Sequence, residues 1–323
     1  MNDSSHRKDL PRRDALKLLG TAAALGAASP LALGQAQQAA PAATGNTPGN
    51  AGGFYKFKLG DFTVTVLSDG QATGGTALPN WGANPDRQDV YAQTLRDNFL
   101  DPANFTNNFN PMLVDTGTQR VLIDTGRGGE QGQLTANLAR AGYRPQDVTV
   151  VFLTHGHGDH IGGVTTAPGT LRYPNARLVM GEAEFGYWAS QAQPNAAVQN
   201  NLIANRARFT LLGENAEIVP GLTTVPAYGH TPGQFAVLVR SGQSQMMHLA
   251  DAGGHYILSL QYPEQYLGFD MDKPTAVATR ARLFDRAATD RLMVVGYHFA
   301  WPGVGYVRRA GNAYQYVPGF VQL

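Results

Sequence analysis

This 323-residue chain contains no cysteine. No disulfide framework, thiolate nucleophile or thiolate metal ligand is therefore available to it. Charge is sparse: Asp, Glu, Lys and Arg make up 15% of the residues and balance to +1. There is no basic stripe and no interleaving of basic with aromatic residues, which speaks against nucleic acid as a partner. Gly-x-Ser-x-Gly, the nucleophile elbow of the α/β-hydrolases, is missing,. No apolar run reaches the length of a membrane span, and nothing repeats at a fixed period. Only eight histidines are present, so their placement is informative. With 43% hydrophobic residues the chain has ample material for a packed core,.

Three of those histidines and one carboxylate fall within six residues, in Thr154-His155-Gly156-His157-Gly158-Asp159-His160. The stretch follows Val148-Thr149-Val150-Val151-Phe152-Leu153, an apolar, β-branched run that reads as a buried strand,. A strand ending in His-x-His-x-Asp-His delivers its side chains at a sheet edge. Imidazole and carboxylate together suit zinc and neighbouring first-row metals, and the set is large enough to be shared by two ions. His230 lies in Tyr228-Gly229-His230-Thr231-Pro232-Gly233, Asp251 in His248-Leu249-Ala250-Asp251, and His298 in Gly296-Tyr297-His298-Phe299. Each follows a short strand-like run, so one rim of a sheet could gather them all.

Val121-Leu122-Ile123-Asp124-Thr125-Gly126, the 155–160 motif, His230, Asp251 and His298, in that order, resemble the motif series of the metallo-β-lactamase superfamily over roughly residues 54–318. Within it the chain is similar to the methyl parathion hydrolase group of exported hydrolases. That finer likeness rests on Gly53-Phe54-Tyr55-Lys56, Leu59-Gly60-Asp61-Phe62, Leu67-Ser68-Asp69-Gly70, Gly229-His230-Thr231-Pro232-Gly233 and Trp301-Pro302-Gly303-Val304-Gly305. The resemblance implies an αβ/βα four-layer sandwich. It implies that His155, His157 and His230 hold a first metal, that Asp159, His160 and His298 hold a second, and that Asp251 bridges both together with a water or hydroxide. Asp251, Asp159 and His160 are expected to be the catalytic members of this set. Two divalent ions are implied, zinc first, with Mn, Fe or Co also able to fit. Asp124 is expected to support His155 or its loop by hydrogen bonds from behind. Trp188 matches a family position that lines the substrate pocket; as an aromatic on a helix it could equally be core. Where the family's phosphotriesterases carry a Phe after Asp-Thr-Gly, this chain has Arg127-Gly128-Gly129-Glu130-Gln131. His248 is expected inside a strand as a non-ligand, and His255 as a solvated loop residue. The group tends to form dimers.

The first 36 residues read as a twin-arginine signal peptide. Arg12-Arg13 precedes an Ala-, Gly- and Leu-rich run over 18–33, and Gly34-Gln35-Ala36 offers a cleavage site,. Export by the twin-arginine machinery to the periplasm or beyond follows as an expectation. Residues 37–52 read as a flexible linker, and 53–323 as the hydrolase domain. Within it, strands are expected at 54–59, 62–67, 112–115, 120–124 and 178–180. Helices are expected at 89–100, 134–141, 183–191 and 275–288, with a helical cap over 203–209. The last long helix should turn Val277, Ala281, Phe284 and Ala288 inward. Residues 71–111 otherwise read as loop.

A dinuclear site of this type generates a nucleophile from water and stabilises an anionic transition state with ions about 3.5–4 Å apart. The expected activity is therefore hydrolysis of an ester-type small molecule: a lactone, an aryl ester or a phosphotriester. A β-lactamase of this superfamily would bring a Cys ligand or lack the bridging Asp. A glutathione thioesterase would bring a basic C-terminal patch, of which Arg308-Arg309 is only a fragment. A metal-binding scaffold without catalysis would be signalled by a missing ligand, and all seven positions are filled.

Overall fold

In the computed structural model, residues 52–319 are described. The signal-peptide and linker expectations therefore lie outside the described residues, apart from Gly52. The described part falls within one compact unit, Asn46–Leu323. Two seven-stranded sheets form its centre. The first runs Phe54–Leu59, Phe62–Leu67, Met112–Asp115, Arg120–Ile123, Val150–Leu153, Arg177–Gly181 and Phe209–Leu212 in spatial order. Its early strands pair antiparallel, and from Arg120–Ile123 onward the pairing is parallel. The second runs Glu217–Val219, Leu222–Pro226, Phe235–Ser241, Ser244–His248, Met293–Val295, Val304–Ala310 and Ala313–Pro318. Its one parallel pair joins Ser244–His248 to Met293–Val295.

Alternation along the strands builds the layers. In Val150–Leu153, Val150 and Phe152 enter the core between the sheets, with Val64, Val114, Ile123, Val237, Val239, Met246 and Val295. Val151 and Leu153 point the other way, onto Leu134, Leu138, Phe185, Val198 and Leu202 from the helical layer. A parallel strand covered on both faces must be apolar at every position, which is why this segment reads as a continuous run. On the far side, Ala236, Leu238, Met247 and Val294 meet Leu283, Phe284 and Ala287 of the helix Lys273–Thr289. The result is helices, sheet, sheet, helices: the expected four-layer αβ/βα sandwich.

Several elements differ from expectation. The 71–111 stretch contains a two-stranded ribbon, Gln71–Gly75 with Phe105–Asn108, besides the helix Gln88–Asp97. Ribbon residues of the first strand are all exposed, so no burial pattern announces it. The segment expected as a helical cap is a 3-10 helix, Ile203–Arg208, and Phe209 starts a strand. The long helix buries Ala276, Thr279, Arg280, Leu283, Phe284 and Ala287. Its inward stripe is therefore rotated from the expected one, because Arg280 is inside. No helix among the described residues is long and apolar enough to cross a membrane.

Candidate metal centre

Four strand ends converge on one edge of the sandwich. Val150–Leu153 releases the chain at Thr154, and His155 to His160 fill the turn and the short helix Gly158–Ile161 that follows. His230 sits between Leu222–Pro226 and Phe235–Ser241, Asp251 just beyond Ser244–His248, and His298 just beyond Met293–Val295. A hydrogen bond from Phe235 N to Thr154 O, 3.1 Å, ties the two sheets at this edge.

The side chains gather into two groups, His155, His157, His230 and Asp251, and Asp159, His160 and His298. Within each group the nitrogen and oxygen atoms on offer lie within 4.8 Å of one another. Asp251 stands between them. Its Oδ2 is 3.2 Å from His230 Nε2 and 3.3 Å from His298 Nε2, and its Oδ1 is 3.2 Å from His160 Nε2. Asp159 Oδ2 is 3.5 Å from His298 Nε2 and 3.8 Å from His160 Nε2.

The hydrogen bonds behind the imidazoles fix which nitrogen faces in. His298 Nδ1 lies 2.8 Å from the Asn108 carbonyl oxygen, which can only accept. His160 Nδ1 donates to Asp124 Oδ2 at 2.8 Å, and His230 Nδ1 to Asp270 Oδ1 at 2.9 Å. Thr154 Oγ1 gives its proton to Asp124 Oδ2 at 2.9 Å, so it accepts from His155 Nδ1 at 3.1 Å. Four Nε2 atoms therefore face the centre. His157 presents Nδ1 instead, 3.0 Å from His155 Nε2 and 3.1 Å from His230 Nε2. Nitrogen lone pairs this close repel unless a cation or a proton sits among them. His160 Nε2 and Asp251 Oδ1, although 3.2 Å apart, are both buried and neither makes a well-aligned hydrogen bond. Three nitrogens and a carboxylate on one side, two nitrogens and a carboxylate on the other, suit divalent metals that take mixed N/O ligands.

Titration follows the same logic. Burial pushes His155 well below the usual histidine value, and burial with the neighbouring His230 takes His157 to about 3. Burial opposes charge on His230, yet Asp251 and Asp270 raise it to about 9. Burial likewise opposes charge on His160, but Asp251 and Asp124 carry it well above the usual value. Burial would raise Asp251, while His298 and His160 pull it well below the carboxylate range. A metal bound here would compete with protons for the same imidazole nitrogens.

The remaining sequence-derived residues fall elsewhere. Asp124 is fully buried at φ +61° and holds Thr154 N at 2.8 Å as well as His160. It reaches His155 only through Thr154. Trp188 packs on Gly156 and edge-on to His157, with ring centroids 5.6 Å apart, and does not line the cavity over the centre. His248 is buried and accepts from Ala250 N at 3.3 Å; burial lowers it to about 4. His255, expected in solvent, is buried instead. Its Nδ1 accepts from Ile257 N and Leu258 N, 3.0 and 3.3 Å, at the start of the short helix Leu258–Gln261, and burial lowers it to about 3.

Sequence reasoning missed several parts of the site. Tyr297 packs against His160 with the rings tilted by 30° and centroids 3.8 Å apart, and donates to Asp159 O at 2.6 Å; its position beside His298 was the available signal. Asp270 and Glu184 support ligand loops from afar, and no local pattern marked them. The cavity of about 250 Å³ is lined by Trp81, Asn107, Gly158, Leu267 and Phe269 besides His157, Asp159, His230, Asp251 and His298.

The profile of the Metallo-beta-lactamase superfamily matches residues 109–299, more than half of the chain. The chain belongs to the metallo-beta-lactamase superfamily. An N-acyl homoserine lactonase of Bacillus cereus is 23% identical over 176 residues, 50% of this chain and 66% of the relative. The chain thus spans just under two thirds of that superfamily member's length. A probable metallo-hydrolase of Mycobacterium bovis is 27% identical over 180 residues, 45% of this chain and 56% of the relative. Among solved structures, AidC, a dizinc quorum-quenching lactonase in complex with a product, is 27% identical with a TM-score of 0.78, covering 84% of this chain and 99% of AidC. Hydrolase AbOPH is 25% identical with a TM-score of 0.76, covering 84% of this chain and 98% of its own.

Proposed function

We propose that this protein is a metal-dependent hydrolase of ester-type bonds, with lactones bearing an apolar substituent as its substrate class. The observation that carries the reading is the convergence of five imidazoles and two carboxylates in two adjoining groups, of which His157, Asp159, His230, Asp251 and His298 line one cavity. His155, His157, His230 and Asp251 would hold one ion and Asp159, His160 and His298 the other, with Asp251 lying between the two groups. Two divalent ions, with zinc preferred, would supply a nucleophile from water at neutral pH and take up negative charge on a substrate oxygen.

The chain's own residues supply orientation and dryness. Asp124, Asp270, Thr154 and the Asn108 carbonyl hold four imidazoles with Nε2 inward, so the ligands need no reorganisation. Trp81 packs edge-on to His298 and Phe269, centroids 5.1 and 5.9 Å apart, and makes an apolar wall with Leu267. Phe269 is 45% exposed at the mouth, where an acyl chain or aryl group would cover it,. Asn107 lines this cavity and gives it a polar edge beside the apolar wall. The likeness to lactonases supports this order of substrates. The finer likeness to the methyl parathion hydrolase group rests on the sequence segments quoted above and makes phosphotriesters the second class. Twin-arginine export and a homodimer belong to the same reading and rest on the sequence and on analogy.

Hydrolysis by metal-loaded protein of an acyl homoserine lactone, δ-valerolactone, p-nitrophenyl acetate, methyl parathion and nitrocefin tests the proposal. Fastest turnover of the acyl lactone, lost in Asp251→Ala, is expected. Turnover of nitrocefin alone, or turnover that survives Asp251→Ala, would overturn it.

A further inference from the structure

We propose that Glu184 is a positioning residue that locks the His155–His157 turn to the His230 loop and so sets the affinity of one metal subsite and not the other. The inference rests on the reading that the histidine cluster binds metal. Glu184 is fully buried in the first turn of the helix Glu182–Ala189, outside the ligand set. Its two oxygens divide the work. Oε1 accepts from Gly156 N at 2.9 Å, between His155 and His157, and from Trp188 Nε1 at 2.6 Å. Oε2 accepts from Thr231 Oγ1 and Gly233 N, both at 2.8 Å, immediately after His230.

Four donors converge on one carboxylate, so all of them are satisfied only by the ionised form. The contacts also require close backbone approach. A Cβ at Gly233 would overlap the backbone of Glu184, and one at Gly156 the indole of Trp188,. The three ligands beside the clamp, His155, His157 and His230, all belong to the first group. The second group is held by other means: His160 by Asp124, His298 by Asn108 O, and the Asp159 backbone by the Tyr297 hydroxyl. Glu184 touches none of these.

A glutamine at 184 would present one oxygen and one NH2, so whichever way it turns, one loop meets a donor instead of an acceptor. The test is Co2+ titration of the chelator-stripped full chain, followed by calorimetry and by visible absorption. The unsubstituted chain should take up two equivalents. In a His298→Ala background, Glu184→Gln should weaken the remaining high-affinity equivalent ~10–100-fold and shift its cobalt bands. In a His230→Ala background the same substitution should change neither. Thr231→Val removes a single donor to Oε2 and should weaken the same equivalent by less; it carries the test if Glu184→Gln does not fold. Equal weakening in both backgrounds, with a matching fall in melting temperature, would mark a general structural role and overturn the proposal, as would no change in either. A chain that binds no cobalt would overturn the metal reading itself, a different failure from two bound equivalents that ignore Glu184.

Discussion

His160 and His230 are backed in the same way and paid for differently. Each imidazole is buried and gives Nδ1–H to a buried carboxylate, Asp124 at 2.8 Å and Asp270 at 2.9 Å. Asp124 uses its other lone pairs on the amide and hydroxyl of Thr154. Asp270 uses its own on Leu267 N, 2.8 Å, and on the guanidinium of Arg280, 3.2 Å, which also donates to the carbonyls of Ala252 and Gln265. One carboxylate keeps its charge for the imidazole, whereas the other shares it with a buried cation. Both carboxylates are buried, Asp124 fully, so depth does not separate them: Asp124 is satisfied by the Thr154 amide and hydroxyl, and Asp270 by a backbone amide and a buried guanidinium. Were both imidazoles to hold a metal, His160 would be the more strongly polarised of the two.

The largest expected effect removes the guanidinium. Arg280→Met should cost about 3–5 kcal/mol of unfolding free energy, because it leaves the buried Asp270 carboxylate with His230 as its one charged neighbour and takes a donor from the carbonyls of Ala252 and Gln265. Urea denaturation of the stripped protein measures it, and a neutral result would mean Asp270 is not held as an ion by Arg280. Next comes the polarised ligand. Asp124→Asn should lower metal affinity ~10–100-fold with a smaller loss of stability. Asp270→Asn should do the reverse, since it leaves Arg280 unpaired in the core. Calorimetric metal titration beside denaturation distinguishes them; identical profiles would erase the comparison.

These two carboxylates also mark where the sequence stops being readable. Asp124 stands in Val121–Gly126, one strand away from the metal turn, and its role is close to what its place in the motif suggests. The His155–His160 set was legible because consecutive residues at one strand end must arrive together, and His230, Asp251 and His298 because each follows its own strand. Asp270 is 40 residues from His230 in a loop with no regular pattern. Arg280 lies on a helix whose period alone favours Val277, Ala281, Phe284 and Ala288 inward. A charged residue scores as surface until its partner is known, and that partner comes from the tertiary fold. Glu184 was hidden for the same reason, and Trp81 and Asn107 because the 71–111 stretch buries too little to show a period.

A histidine with no carboxylate behind it sharpens the contrast. Burial alone holds His255 at about 3, against about 6.5 when unfolded,. Below pH 6.5 the unfolded chain binds a proton that the folded chain refuses. Its contribution is complete above pH 6.5 and is lost as pH falls towards 3, by about 2 kcal/mol at pH 5. His255→Asn keeps an acceptor for Ile257 N and Leu258 N but cannot titrate. The variant should therefore lose less stability than the unsubstituted protein between pH 7.5 and 5. Parallel pH profiles would show that His255 is protonated in the folded state.

Thr154 carries the smallest effect and the finest distinction. Its hydroxyl connects Asp124 to His155, so the Asp124 network touches a ligand from each metal group, whereas Asp270 touches His230 alone. Thr154→Val keeps the β-branched shape that suits the strand end and removes both hydroxyl bonds. The backbone N–H of residue 154 can still reach Asp124 Oδ1. The lost bonds should cost about 1 kcal/mol, divided between a rotated His155 and a freed lone pair on Asp124. Both metal equivalents should then weaken by a few-fold in the same titration, unlike the one-sided loss expected on removing Glu184. If only one equivalent responds, Thr154 serves a single ligand and the two halves of the centre are held independently.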